Sequence, residues 1–176
     1  MPPTSNANYA WILHILNKLN VSRGIAGFLL ANGALDDSDT LEIRKLLIES
    51  DKVEAIIVLP RNMFYSTDIS VTLWILNNNK KGGPWHGRQL RNRTGEILFI
   101  DLRTWNSNIY EKKYVRLTEA DIDRVRQIYF NWQTENFVEY AEPELYYAAH
   151  RDEIQGKGYS LVPSRYIEFI DRDTEI

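Results

Sequence analysis

The chain has 176 residues, 44% of them hydrophobic and 26% charged, with no cysteine and a net charge of −3. That length suits one domain burying about 70% of the surface its unfolded chain exposes, and the composition excludes disordered, collagenous and low-complexity classes. Without cysteine there is no disulfide, thiolate nucleophile or Cys-ligated metal. No apolar run approaches the roughly 20 residues that cross a bilayer, and the start MPPTSNANYAW lacks a charged head and apolar centre, so a cytoplasmic protein with no membrane partner is expected.

Asn8 to Leu19 reads as a helix, with Ile12, Leu16 and Leu19 at helical spacing, Tyr9, Leu13 and Ile15 widening the stripe, and Asn6 or Asn8 available as a cap. His14 on that apolar helix is expected to be packed or hydrogen-bonded. Ile25 to Ala31, IAGFLLA, is a short continuous apolar run that suits a strand buried on both faces. Asp39 with Glu42 resembles a capping box opening a helix to about Ser50, with Ile43, Leu46 and Leu47 on its apolar face. Val53 to Leu59 is a second buried strand, and Ser70 to Leu76 a third. Strand, helix, strand is the parallel βαβ unit. The link Pro60 to Asp68 is too short for a helical crossover, so the third strand is expected to run antiparallel to the second. In open α/β sheets, ligands sit beyond the carboxyl ends of the parallel strands. Those ends are Asn32 to Ser38 and Pro60 to Asp68.

Asn77 to Gly95 reads as a loop, punctuated by Gly82, Gly83, Pro84 and Gly87, and looks more like a loop than a linker. Ile69 to Gly95 carries no acid but five basic residues, Lys80, Lys81, Arg88, Arg91 and Arg93, whereas Glu119 to Glu153 holds nine acids against three arginines. Glu96 to Leu102 is a further strand. Thr118 and Asp121 cap a helix from Glu119 to about Thr134, with Ile122, Val125, Ile128, Tyr129 and Trp132 as its buried stripe. Glu142 to Ile154 is assigned one or two short helices, and Gly156 to Ile167 a loop and extended tail. The expected fold is α/β: part of an open, mostly parallel sheet with one antiparallel strand, followed by a helical segment, divided as 1–102 (with the basic loop 77–95) and 103–176.

No Gly-rich loop follows a strand and opens a helix, and His14, His86 and His150 are too scattered for a metal motif. Asp36, Asp37 and Asp39 are read as helix-start residues favoured by the macrodipole, not a metal site. Ser66, Thr67 and Asp68 have no assignable histidine base. Lys80, Lys81, Arg88, Arg91 and Arg93, with Trp85 and His86, are either a DNA-binding loop directed at phosphates or a plain solvated loop. Asn32 and Gly33 are ligand-rim candidates or a simple strand-ending turn.

The segments PPTSNANYAWILHILNKL, GIAGFLLANGAL, EIRKLLIESDKVEAIIVLPRNMFYSTDISVTLWILNNNK, GEILFIDLR, EKKYVRLTEADIDRV and GYSLVPSRYI resemble, in order, the modification subunits of type I restriction–modification systems. The resemblance runs from about Pro2 to Ile167 and is most specific in LPRNMFYSTDISVTLWILN. It implies the fold and chemistry of adenine-N6 DNA methyltransferases that use S-adenosylmethionine. It also implies DNA and the specificity and restriction subunits as partners. The family's cofactor segment and its Asn-Pro-Pro-Phe tetrapeptide both precede the region seen here; Pro2-Pro3 is preceded by Met1 and followed by Thr4, so it is not that tetrapeptide. The expectation is therefore a C-terminal portion with no catalytic motif of its own, inactive alone and binding no cofactor alone. An alternative is a non-catalytic interaction or DNA-binding module of the same fold. Enzymes that modify a base stack it, flipped out, between aromatic or apolar side chains. Phe64 and Tyr65 are accordingly either part of a base-pocket wall or packing aromatics. The strand Ile25 to Ala31 is expected to leave one edge open for self-association or for the N-terminal part of the enzyme.

Overall fold

The computed structural model describes residues 7–64, 68–111 and 113–171. It has one central sheet with helices on both faces. Helix α1 (Ala7–Lys18), strand β1 (Ile25–Ala31), helix α2 (Leu41–Glu49), β2 (Val53–Val58) and β3 (Val71–Asn77) follow the expected order. A hairpin of β4 (Gly83–Trp85) and β5 (Arg88–Leu90) precedes β6 (Glu96–Asp101). A second small hairpin, β7 (Ile109–Tyr110) and β8 (Tyr114–Val115), leads to α3 (Glu119–Thr134), β9 (Ala141–Glu142), β10 (Tyr146–His150) and α4 (Arg151–Gly156). None of the described helices is long and apolar enough to cross a membrane.

The six-stranded sheet has the order β1-β3-β2-β6-β10-β9. β3 runs antiparallel to both β1 and β2, as the short link before it requires. It therefore lies between them, and β1 and β2 point the same way without touching. The α/β class stands, but the pairing is less parallel than expected: β2–β6 is the parallel pair, and β10 is antiparallel to β6 and β9. Residues beyond 102 supply β9 and β10 to the same sheet, so the sheet is not confined to 1–102.

Alternation along the central strands divides the core into two layers. Ile56 and Val58 of β2 with Ile97 and Phe99 of β6 pack beneath α1, α2, α4 and the tail. Ala55, Ile57, Leu98 and Ile100 point the other way, against Ile128 and Trp132 of α3. β2 is buried on both faces, as its uninterrupted apolar run predicts. β1 is not. It ends the sheet, and its burial alternates, leaving Ile25 40% and Leu29 46% exposed.

Several local expectations are corrected. Asp39 and Glu42 form no capping box. Asp37 instead caps a 3-10 turn over Ser38–Thr40 by accepting from the Asp39 amide at 2.9 Å, and α2 starts after it. Leu46 points to solvent and Ile48 takes its place in the core. His14 is exposed, edge-on to Trp11. Residues 146–150, expected within helices, form a strand because Tyr146 to Ala149 fill the open side of β6. Asn6 lies outside the described residues. The α3 cap is as expected: the Asp121 amide donates to Thr118 Oγ1 at 3.1 Å, and the Thr118 amide to Asp121 Oδ2 at 2.7 Å. Ile122 of its expected stripe is nevertheless half exposed.

Candidate nucleic-acid interface at the carboxyl rim

β1, β2 and β6 end at one rim of the sheet, and β3 begins there. Asn32 follows β1, the loop that opens at Leu59 follows β2, and Leu102 and Arg103 follow β6. Asn32 is tied into the rim twice: its amide donates to Ser70 O at 3.1 Å, and its Oδ1 accepts from the buried Thr72 hydroxyl at 2.6 Å. The loop after β2 is pinned by the Leu59 amide to Val71 O at 3.0 Å, and Asn62 O accepts from the Val115 amide at 2.9 Å. Phe64 in that loop is half-buried. Tyr65, its companion candidate, lies outside the described residues, as do Ser66 and Thr67.

Arg103 is the hub of the rim. Its Nε donates to both Asp101 oxygens at 2.9 and 3.0 Å, and Nη2 lies 2.7 Å from Oδ2. The hydrogen bonds to Asp101 hold the guanidinium's pKa above its ordinary value. Arg103 lines three hollows. One of about 70 Å³ holds Asn32, Leu35, Val58 and the tail residues Val162 to Ser164. One of about 390 Å³ lies against Thr104, Asn106, Glu144 and Phe169. One of about 460 Å³ is walled by Arg61, Asn62, Asp68, Asn106, Ile109 and Lys113.

The basic segment lies elsewhere. β3 carries the chain away from the rim over seven residues, roughly 20 Å, so residues 77–95 sit at the opposite end of the sheet. They are also folded. β4 and β5 pair around His86 and Gly87, both at positive φ (44° and 77°), as a two-residue hairpin turn demands. Gly82, at φ 87°, passes so close that an added Cβ would meet Leu90 O and Arg91 O at 2.5 Å.

Within this segment the expected phosphate ligands are largely consumed by the protein itself. Arg93 is buried, with Nε 2.8 Å from Glu54 Oε1, and Glu54 also accepts from Asn77 and Tyr129 at 2.7 Å. Lys80 is buried, donating to Asp51 at 2.8 Å, to Val53 O at 2.9 Å and to Glu96 O, and burial lowers its pKa. Arg91 forks onto Glu96 and donates to Trp132 O. Arg88 lies over Phe130, with Nη1 3.1 Å from Gln133. Lys81 is exposed. Neither a DNA-binding loop nor a plain solvated loop describes Lys80 and Arg93: pulling Arg93 to a phosphate would strand the buried Glu54 carboxylate, and the buried Lys80 would have to leave Asp51 and the carbonyls of Val53 and Glu96. A run of basic residues in sequence cannot reveal this: their acceptors, Asp51, Glu54 and Glu96, lie on other elements.

The residues missed in the sequence are Arg61, Asn62, Arg103, Asn106 and Lys113. A signal existed for Arg61 and Arg103, since each closely follows the carboxyl end of a strand of the parallel pair. Among the described residues, no three His, Asp or Glu side chains are grouped to hold a metal. Asn32 and Gly33 open a short 3-10 turn (Asn32–Leu35) at the rim, and the hollow beside Asn32 is far smaller than the 300–1,000 Å³ or so of a typical ligand pocket.

Known proteins place this arrangement. A profile described as N-6 DNA methylase matches residues 1–175. The chain is 33% identical over 177 aligned positions to the type I restriction enzyme HindI methylase subunit of Haemophilus influenzae, covering 99% of this chain and 37% of that subunit. It is 34% identical to the MjaIX methylase subunit of Methanocaldococcus jannaschii, over 95% of this chain and 28% of the relative. The chain thus spans about a third of the curated relatives it matches. Among solved structures, the methyltransferase subunit of a type I restriction–modification system from Streptococcus thermophilus superposes with a TM-score of 0.77 at 25% identity, over 97% of this chain and 32% of that one. The EcoKI M protein shares the fold, with a TM-score of 0.69 at 18% identity, over 98% of this chain and 40% of that one. The chain belongs to the N-6 DNA methylase family, and the relatives it matches are methylase subunits of type I restriction enzymes.

Proposed function

We propose that this chain forms the C-terminal part of the methyltransferase domain of a type I modification subunit, transferring a methyl group from S-adenosylmethionine to N6 of adenine in DNA. The observation that carries this reading is the rim: β1, β2 and β6 deliver Asn32, the loop bearing Phe64, and Arg103 to one edge, in a chain of this family. Asn32 and Phe64, with Tyr65 as a further candidate, would wall one side of a pocket for the extruded base. The cofactor and the group that accepts the adenine amino proton would come from the remainder of the enzyme. The open β1 edge is where that remainder would add strands. The chain is expected to be inactive alone, to work in the cytoplasm, and to join specificity and restriction subunits that select the DNA site.

Reconstitution tests the reading. The purified chain, the cofactor-bearing part and the mixture would be incubated with DNA and labelled S-adenosylmethionine, and N6-methyladenine quantified by mass spectrometry. Methylation is expected in the mixture alone. Calorimetric binding of S-adenosylmethionine to the isolated chain would show that the assignment of the cofactor to the remainder is wrong. DNA binding without methylation in the mixture would favour a non-catalytic module.

A further inference from the structure

We propose that the hollow walled by Arg61, Asn62, Arg103, Asn106 and Lys113 holds a phosphodiester group of the DNA strand. This moves the DNA contact from the basic hairpin to the carboxyl rim, and it rests on the reading of the chain as part of a DNA methyltransferase. The hollow encloses about 460 Å³ and is lined by three cations and two amides against one carboxylate, Asp68. Arg61, Arg103 and Lys113 are all exposed, and Arg103 can meet a phosphate through Nη1 while its Nε and Nη2 stay on the buried Asp101.

The site is built. Asp101 is 4% exposed at the end of β6 and grips Arg103 side-on through Nε and Nη2. That pairing fixes the plane of the guanidinium, and Nη1 has no hydrogen-bond partner among the described residues. Charge-assisted donors of this kind suit phosphate oxygens. Asn62 is anchored through its carbonyl by the Val115 amide, which leaves its side chain to the hollow. Arg61 pairs with Asp68 at 3.1 Å, but both side chains are more than half exposed (63% and 58%), so exchanging that partner for a phosphate costs little. Arg103 also lines the smaller hollow with Asn32, which places the phosphate beside the proposed base wall. A phosphate held there would set the register of the strand whose base is turned out, a positioning role that carries no sequence information.

The test uses the assembled methyltransferase and a fluorescent DNA duplex, with affinity measured by anisotropy across a salt series. Each lost phosphate contact reduces the slope of log K against log salt by about 0.9. The double variant Arg61→Gln/Lys113→Gln, which leaves the Asp101–Arg103 pair intact, is expected to lower the slope by about 2. Arg61→Lys/Lys113→Arg should restore it, and Lys81→Gln on the hairpin should leave it unchanged. An unaltered slope in the double variant, with an unaltered melting temperature, would overturn the proposal, as would a slope lost in Lys81→Gln instead. Methylation by the unsubstituted enzyme with an unaltered slope in the variant sinks this site alone. A reduced slope without methylation by the unsubstituted enzyme sinks the methyltransferase reading and keeps the site.

Discussion

Glu54, with Arg93, Asn77 and Tyr129 converging on its carboxylate, shows how a charge can be read correctly for sign and wrongly for place. Glu54 and Arg93 have fully buried side chains. Removing one partner leaves an uncompensated buried charge, a loss of about 3–5 kcal/mol. Arg93→Met is therefore expected to lower the urea midpoint sharply, and Glu54→Leu/Arg93→Met to lose less than the two single changes together. A double-mutant cycle measures that coupling; strict additivity would show that the pair is not energetically linked. A pH dependence belongs to the same scale. Tyr147, half-buried on β10 and donating to Glu153 at 2.9 Å, has its pKa pushed up to about 12, chiefly by desolvation and then by that hydrogen bond. An acid whose folded pKa exceeds its unfolded value of 10 keeps its full contribution below pH 10 and loses it as pH rises toward 12. Stability should fall across that window, less steeply in Tyr147→Phe, in chemical denaturation at fixed pH values. An identical slope in the variant would remove Tyr147 as a contributor.

Among the elements, α3 was legible because its cap and its stripe agree, and neither depends on distant contacts. Thr118→Ala should cost about 1 kcal/mol, since it breaks one half of a reciprocal cap. The second cap was legible in kind but not in position: three aspartates precede α2, and only the folded turn shows that Asp37 accepts the amide of Asp39. Asp37→Ala should destabilise by about 1 kcal/mol and Asp39→Ala by much less; thermal melts that reverse this order would restore the original capping box. β10 and the β4–β5 hairpin were not legible. Tyr146 to His150 carries a helix-tolerant Ala-Ala pair, and it becomes a strand because β6 offers an unpaired edge. The hairpin is punctuated by Gly and Pro, the vocabulary of loops, and is held by arginines bound to α3, far along the chain. At the site, Asn32 and the loop of Phe64 followed from strand ends alone, whereas Lys113 reaches the rim through a hairpin whose strands, two residues each, are too short to leave a periodic signal.

Across the whole molecule, the two ends of the sheet are treated differently. β9 is two residues long and carries Glu142, paired with Arg124 at 2.7 Å. A short, charged edge resists pairing with another chain. β1 at the other end is seven residues long and uncharged, with Ile25 and Leu29 exposed on one face. Its far side has no strand partner among the described residues. Such an edge offers a row of backbone donors and acceptors backed by apolar side chains, the feature that natural sheets otherwise blunt. The isolated chain is therefore expected to self-associate in light scattering, and on the proposed function a separate cofactor-bearing part is expected to displace that contact and give a one-to-one complex. Leu29→Lys places a charge on the edge while leaving the pairing of β1 with β3 in register, so it should shift the isolated chain toward monomer without lowering its melting temperature. A monomer before substitution would mean that the edge is already covered and that the remainder of the enzyme docks elsewhere. Self-association that persists in Leu29→Lys would place the contact on another surface, with the exposed Val138 and its neighbours Phe137 and Tyr140 the next face to substitute.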